Sequence, residues 1–450
     1  MTEQKPIIIN YNQKQAYKEG IYLIIGIQSI ENSFRVSHFT KKKYYVECKN
    51  GEFIYSKDGG LLRKEKIKKN SYIITTFDQL SSLKWGIEYE KQNMAKWCPI
   101  WDQKKLNAGG YIKDDDCKIG KWIDLSENFS NISKVTHEGV YEDGIKIGRW
   151  VTIYSEKIIG EGIYNSKGMK KGKWVEIYQR FSDCCQITFH GEYREGKKFG
   201  LWEILHTTPK KKQIIGGGFY GFEEQKVGRW IEQHENFTNF IDSNQYNCQL
   251  LQRGNYQYGK KIGRWDILFS KDPISLQKFE IIGGGIYDEN AQQQGIWFEL
   301  SENFGKYSQI RSLGEYWNGK KYGRWNTQFR DYQATDFIKM VDGEYDNEGN
   351  QKGKWIELFE NYRNDIQIIY TGEYKNGIKY GLWDMKKRNY FNKQFIYFAG
   401  GVYILGQKNG KWIEIDQDSY QKTFLNYTHC QVVQYKDGIK SQQITCIQVI

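Results

Sequence analysis

Proline is nearly missing from this chain, four in 450 residues, and methionine (5) and histidine (6) are scarce too. Few prolines mean few forced chain breaks, which leaves the turns to the 46 glycines. The six histidines (His38, His137, His190, His206, His234, His429) form no HExxH or similar cluster, so neither a metal site nor a cofactor is predicted. The eight cysteines (Cys48, Cys98, Cys117, Cys184, Cys185, Cys248, Cys430, Cys446) contain no CxxC pair and follow no period. That argues against a zinc site or a disulfide framework and for reduced thiols.

Long apolar runs are absent as well. The longest, Ile21 to Ile27, falls far below the roughly 18 residues a membrane span requires. The start, MTEQKPIIINYN, lacks the basic stretch and apolar core of a secretory leader. Thr2 excludes a myristoylation start, and Cys446 stands one place too early for a prenylation box. The expectation is a cytoplasmic protein with no transmembrane segment, whose membrane contact, if any, is peripheral. A net charge of +12 favours polyanions such as nucleic acid or an acidic bilayer, and is equally usual for a soluble basic protein.

What is present is a repeat. Eleven copies join a Gly-x-Tyr to a Gly-x-Trp, most cleanly in GEYWNGKKYGRWNTQF at 314 to 329. Tyr111, Tyr141, Tyr164, Tyr193, Tyr220, Tyr256, Tyr287, Tyr316, Tyr345, Tyr374 and Tyr403 lead to Trp122, Trp150, Trp174, Trp202, Trp230, Trp265, Trp297, Trp325, Trp355, Trp383 and Trp412. A fixed period signals an array and overrides the two to four domains that length alone suggests. Each copy reads as a β-hairpin, because paired glycines inside every unit would cost a helix about 0.8–1.0 kcal/mol each. The glycine before each aromatic is expected to leave room for a ring on the neighbouring strand. The predicted fold is all-β: an elongated antiparallel β-meander or solenoid of hairpins, alternating in pairs, with terminal caps.

The alternation shows in the spacing. From Tyr141, Tyr193, Tyr256, Tyr316 and Tyr374 the Trp is nine residues on; from Tyr164, Tyr220, Tyr287 and Tyr345 it is ten. Tyr111 and Tyr403, with gaps of 11 and 9, join the second kind by position. The second kind places Asp124, Glu176, Glu232, Glu299, Glu357 and Glu414 two after the Trp; the first kind places Glu203, Asp266 and Asp384 one after. Side chains alternate faces along a strand, so the shift moves the acid to the other face. From the second kind to the first, the Trp-to-Tyr link is 19 residues in four of five cases and 26 after Trp230, whereas the reverse link varies from 14 to 22. The constant link carries Asn128, Asn236, Asn303 and Asn361, each followed by Phe or Tyr, and marks a structural or partner-binding edge.

Three segments follow: residues 1–84, a cap or degenerate hairpins with turn cues at Asn50-Gly51 and Asp58-Gly59; 85–421, the array of about 12 hairpins; and 422–450, a C-terminal cap. TTFDQLSSLKW (75 to 85) is a short helix or turn leading in, GIEYEKQNMAKW ends in a degenerate copy, and YKDGIK (435 to 440) looks like half a repeat.

G-x-Y-x-x-G-K-K-x-G-x-W resembles the MORN (membrane occupation and recognition nexus) repeat, over residues 86 to 416 or about three quarters of the chain. Units here average near 29 residues against the family's usual length of about 23, and the pairing is a further departure. The resemblance implies an extended single-layer meander and a scaffold role, often cytoskeletal or at membranes, with phosphoinositide binding proposed for some members.

Lys146, Lys197, Lys198, Lys260, Lys261, Lys320, Lys321 and Lys379 recur at the turns of the first kind. With strands about 4.8 Å apart they would step along the array roughly every 19 Å, as a polyanion-binding or partner-binding row or as charges that keep an edge soluble. The repeated acids beside Lys121, Lys173, Arg229, Lys354 and Lys411 read as cross-strand ion pairs, since an active site is needed once and these occur in nearly every unit. Gly216 to Gly221 matches GxGxxG but has no helix behind it. The expected function is a non-enzymatic scaffold for protein partners, with the cytoskeleton as a candidate location. The alternatives are peripheral binding to anionic lipid through the lysines, and single-stranded nucleic acid stacked on the aromatics. The missing leader and the Gly-Lys-Lys turns speak against a second resemblance, to the Gly-x-Trp repeats of choline-binding surface proteins.

Overall fold

The computed structural model describes residues 7–10, 20–31, 37–57, 60–67, 73–74, 76–90, 94–113, 117–183, 185–208, 211–235, 250–270, 279–302, 304–305, 308–331, 334–359, 362, 367–388, 394–415 and 428–449. The chain is all-β. Its one helix among those residues is the short Phe77–Ser82, within the TTFDQLSSLKW stretch. The described residues fall broadly into two units, one up to Glu232 and the other from Gln233 onward.

The first unit opens with a five-stranded sheet in sequence order: Ile7–Asn10, Gly20–Glu31, Ser37–Lys49, Glu52–Lys57 and Gly60–Lys66. The first pair is parallel and the rest antiparallel. Asn50 and Gly51 take φ of 53° and 73°, as a two-residue hairpin turn of the expected kind requires. Asp58-Gly59 lies outside the described residues. Tyr22, Tyr44, Phe53 and Tyr55 make a core with Ile74 and Leu80.

A meander follows in which strands pair antiparallel with their neighbours, from Leu83–Glu90 to Lys226–Gln233. In the second unit the same pattern runs from Leu250–Gln257 to Ile439–Val449. The final pair, Thr428–Lys436 and Ile439–Val449, continues it: Tyr435 faces Gly410 and packs on Trp412, ring centroids 6.5 Å apart.

Nine of the eleven copies carry the same bulge. Leu313 faces Asn326 and Glu315 faces Tyr322, so Gly314 alone opposes Gly323, Arg324 and Trp325. The two glycines therefore do different work. In ten copies a Cβ on the glycine two before Tyr would stand 2.0–2.4 Å from the indole of its own hairpin's Trp; in the first copy Gly110 takes that place. The glycine two before Trp has open space around it and a φ of +62° to +72°, the left-handed region that bends the bulge. Room for a ring thus explains only the first glycine, and backbone conformation explains the second.

The aromatics stack as a ladder of edge-to-face contacts. In the first unit it runs Trp122, Tyr141, Trp150, Tyr164, Trp174, Tyr193, Trp202, Tyr220, Trp230, with centroids 4.9–6.2 Å apart. The second unit repeats it from Tyr256 and Trp265 to Trp412 and Tyr435. Such pairs add about 0.5–1.5 kcal/mol each beyond area burial. This geometry explains how a thin sheet holds a core without rows of Leu and Val.

Turn length separates the two kinds of hairpin. In the gap-of-nine copies a two-residue turn such as Asn318-Gly319 has both φ positive, 48° and 72°. In gap-of-ten copies the turn is longer, and in three of them its first residue accepts backbone N–H groups on its side chain: Asn165, Asp288 and Asp346. Tyr403, second by place, has the shorter Leu405-Gly406 turn.

Candidate functional site

Trp174 and Glu176 lie two apart on the strand Lys170–Ile177 and so share a face. Lys170, four before the Trp, places its ammonium 4.6 Å from the Trp174 ring and 4.9 Å from the Tyr193 ring and bonds Glu176. From the next hairpin, Lys198 reaches Glu176 at 2.9 Å while lying 4.1 Å from the Trp202 ring, and the Tyr193 hydroxyl donates to the same carboxylate at 2.8 Å. One acid therefore collects two ammonium groups and a phenol, all on the ladder face.

The arrangement recurs. Asp124 takes Lys118 (2.6 Å), Lys146 (2.9 Å) and Tyr141 (2.8 Å). In the second unit Glu299 takes Tyr316 and Lys321, Glu357 takes Tyr374 and Lys379, and Glu414 takes Lys408 and Tyr435. Burial pushes the Glu176 carboxyl up, but Lys198 and Lys170 outweigh it and hold the group at about 2. Burial likewise opposes, and Lys118 and Lys146 outweigh, at Asp124, which is also lowered. Burial, then the adjoining carboxylates, raise the tyrosines, Tyr164 to about 12. Each carboxylate is surrounded by groups of opposite charge or by hydroxyl donors, and their chemistry is cohesion of the sheet.

The partners correct the expected ion pairs. Lys121, Lys173, Arg229, Lys354 and Lys411 directly precede a Trp and are exposed, while the acids pair with lysines four before a Trp. Alternation on the strand puts adjacent residues on opposite faces. In the first kind, as expected, the acid is on that other face: Asp266 pairs with Arg253 and Arg264.

The eight lysines singled out at the turns divide the same way. Lys146, Lys198, Lys321 and Lys379 are held by Asp124, Glu176, Glu299 and Glu357, and Lys261 lies 4.2 Å from the Trp265 ring and bonds Gln252. Lys197, Lys260 and Lys320 begin the same strands but point outward; Lys197 meets the exposed Glu223. The signal that sequence reasoning missed is the place four before Trp, which is lysine in nine copies of either kind and Gln293 and Gln351 in two.

Of the link asparagines, Asn236, Asn303 and Asn361 lie outside the described residues. Asn128 is buried and donates to the Gln179 carbonyl of the following link at 2.7 Å. Ser133 to Phe181 and Ser308 to Tyr362 join links in the same manner. Phe129, Phe181, Phe304 and Tyr362, all seven after a Trp, are buried against Trp101, Tyr154, Phe269 and Phe329. At the start of this column, Gln79 of the helix donates to the Glu127 carbonyl and Thr76 bonds Asn128. The constant 19-residue spacing thus has a packing cause where adjoining links are described: the link after Trp122 stacks on that after Trp174, and the link after Trp297 on that after Trp355.

The outward face carries what varies. Leu201 faces Phe219 and Leu382 faces Val402, all exposed, where the same register elsewhere holds Lys173 with Glu192 or Lys354 with Glu373. On the ladder side of the second unit, a cleft of about 360 Å³ is lined by Lys261, Trp265, Tyr287, Gln293, Trp297 and Glu299, with His234 and Gln252 beside them. Burial lowers His234 to about 4. Among the described residues no cluster suited to a metal ion occurs, and no helix is long and apolar enough to cross a membrane.

No family model matches the chain, and no curated protein matches it. Among solved structures it is similar to the NanB sialidase from Streptococcus pneumoniae, in complex with 2-[(3-chlorobenzyl)ammonio]ethanesulfonate. That similarity covers 95% of this chain and 68% of that one at 10% identity, with a TM-score of 0.21, too low to carry an argument.

Proposed function

We propose that this chain is a non-enzymatic repeat scaffold of the MORN kind, cytoplasmic, which holds protein partners along the face turned away from the Tyr–Trp ladder. The observation that carries the reading is the division of labour between faces. Tyr, Trp, the acid and its lysines recur and are consumed in building the sheet, while the outward register positions change from copy to copy between apolar, basic and acidic pairs. A face that varies on a constant frame is suited to recognising different surfaces along its length. The lipid reading loses support, because four of the eight turn lysines are held by carboxylates on the ladder face.

Affinity capture should be run side by side with the wild-type chain and a Leu201→Asp/Phe219→Asp variant of equal melting temperature. Loss of a defined protein partner from the variant alone supports the scaffold. Identical partners from both, or recovery of acidic lipid and no protein, overturns it.

A further inference from the structure

The residue four before each Trp is lysine in nine of the eleven copies. In all nine its ammonium lies 3.8–4.7 Å from the centroid of that Trp. Where such a lysine belongs to a second-kind copy it also bonds the acid two after the Trp, as at Asp124, Glu176, Glu232 and Glu414. A slot made of an indole face, a carboxylate and, at Asp124, Glu176 and Glu414, the face of the following tyrosine is thus built for an alkylammonium group.

Two copies lack the lysine: Gln293 precedes Trp297 and Gln351 precedes Trp355. They are not alike. The Gln351 amide hydrogen-bonds the Tyr374 hydroxyl and so stays in its own slot. Gln293, Trp297 and Glu299 instead open onto the 360 Å³ cleft. Among the described residues no ammonium is stacked on Trp297, and Glu299 keeps one lysine, Lys321, where Asp124 and Glu176 each hold two. Lys261 stands across the cleft, but the frame accepts that: Lys146 and Lys170 hold the same two positions together in the first unit.

We propose that the Gln293–Trp297–Glu299 cleft is a binding site for a primary alkylammonium group supplied in trans, taking the place of the missing lysine. The ammonium donates to Glu299 and lies on the Trp297 face, and its alkyl stem runs out along the cleft. The group can come from a lysine side chain of another protein or from a free polyamine.

The test is a ligand-observed NMR titration of the full chain with n-butylammonium at neutral pH, beside Gln293→Lys and Gln351→Lys. Gln293→Lys supplies the ammonium in cis, so binding should weaken at least tenfold while the melting temperature holds or rises. Gln351→Lys should leave binding unchanged. Glu299→Gln should also lose at least tenfold; if that variant fails to fold, Gln293→Lys alone decides. Given saturable binding, the peptide Gly-Lys-Gly binding tighter than spermidine assigns the source to a protein, and the reverse assigns it to a free amine. No saturable binding by the wild type, or equal binding by Gln293→Lys, overturns the site.

Discussion

Gly191 lies directly beneath the indole of Trp202: a Cβ on the glycine would stand 2.3 Å from the ring carbons. Trp202 cannot move aside, since its Nε1 donates to the Glu192 carbonyl at 3.2 Å and Tyr193 packs edge-on at 5.3 Å.

Gly191→Ala should therefore cost about 1–3 kcal/mol through overpacking. Gly200, with φ of +69° and nothing near, should lose about 1–2 kcal/mol on Gly200→Ala from backbone strain, and Gly200→Asn should recover part of it. Urea denaturation of the three variants separates the causes. Asn helping nowhere would mean that φ is not the reason for the second glycine.

Acid should loosen the ladder. Glu176 is held at about 2, below its ordinary 4.5, so it binds fewer protons folded than unfolded. Its contribution is present above pH 4.5 and fades as pH falls toward 2, up to about 3 kcal/mol. Glu176→Gln should reduce the slope of stability against pH in that window. An unaltered slope would place the acid sensitivity elsewhere.

Neighbouring lysines should behave differently. Lys198→Gln removes an ammonium held by Glu176 and stacked on Trp202, at a cost of about 1–3 kcal/mol. Lys197→Gln removes an exposed partner of Glu223 and should leave the melting curve where it was. Equal shifts for the two would contradict the assignment of faces.

His206 is fully buried, and neither ring nitrogen has a hydrogen-bond partner among the described residues; burial lowers it from 6.5 to about 4. Its neutral form is the one the fold accepts, so stability should be complete above pH 6.5 and decline as pH falls toward 4. His206→Leu should flatten that range and add about 1 kcal/mol at pH 7 by removing unsatisfied groups. Thermal melts at pH 7 and pH 5 suffice, and a variant that keeps the pH dependence would point to His137 and His234 instead.

Much of this was legible in the chain because a repeat supplies its own comparison. The hairpins, the two kinds and the opposite faces of Glu176 and Asp266 follow from spacing and the period of two along a strand. The lysine four before the Trp in nine of the eleven copies is equally legible, but in doublets such as Lys197-Lys198 both residues sit at the turn and only distance from the Trp tells them apart.

By itself the sequence determined the all-β hairpin array, since Gly-x-Tyr and Gly-x-Trp at fixed spacing permit no other regular structure. Only the tertiary structure decided which glycine makes room and which bends the chain, because the two look identical in the sequence and differ in φ and in the ring above them. It also decided that Lys198 belongs to Glu176, a residue of the preceding hairpin 22 positions earlier. Such a partner is fixed by how hairpins stack, which no local pattern contains.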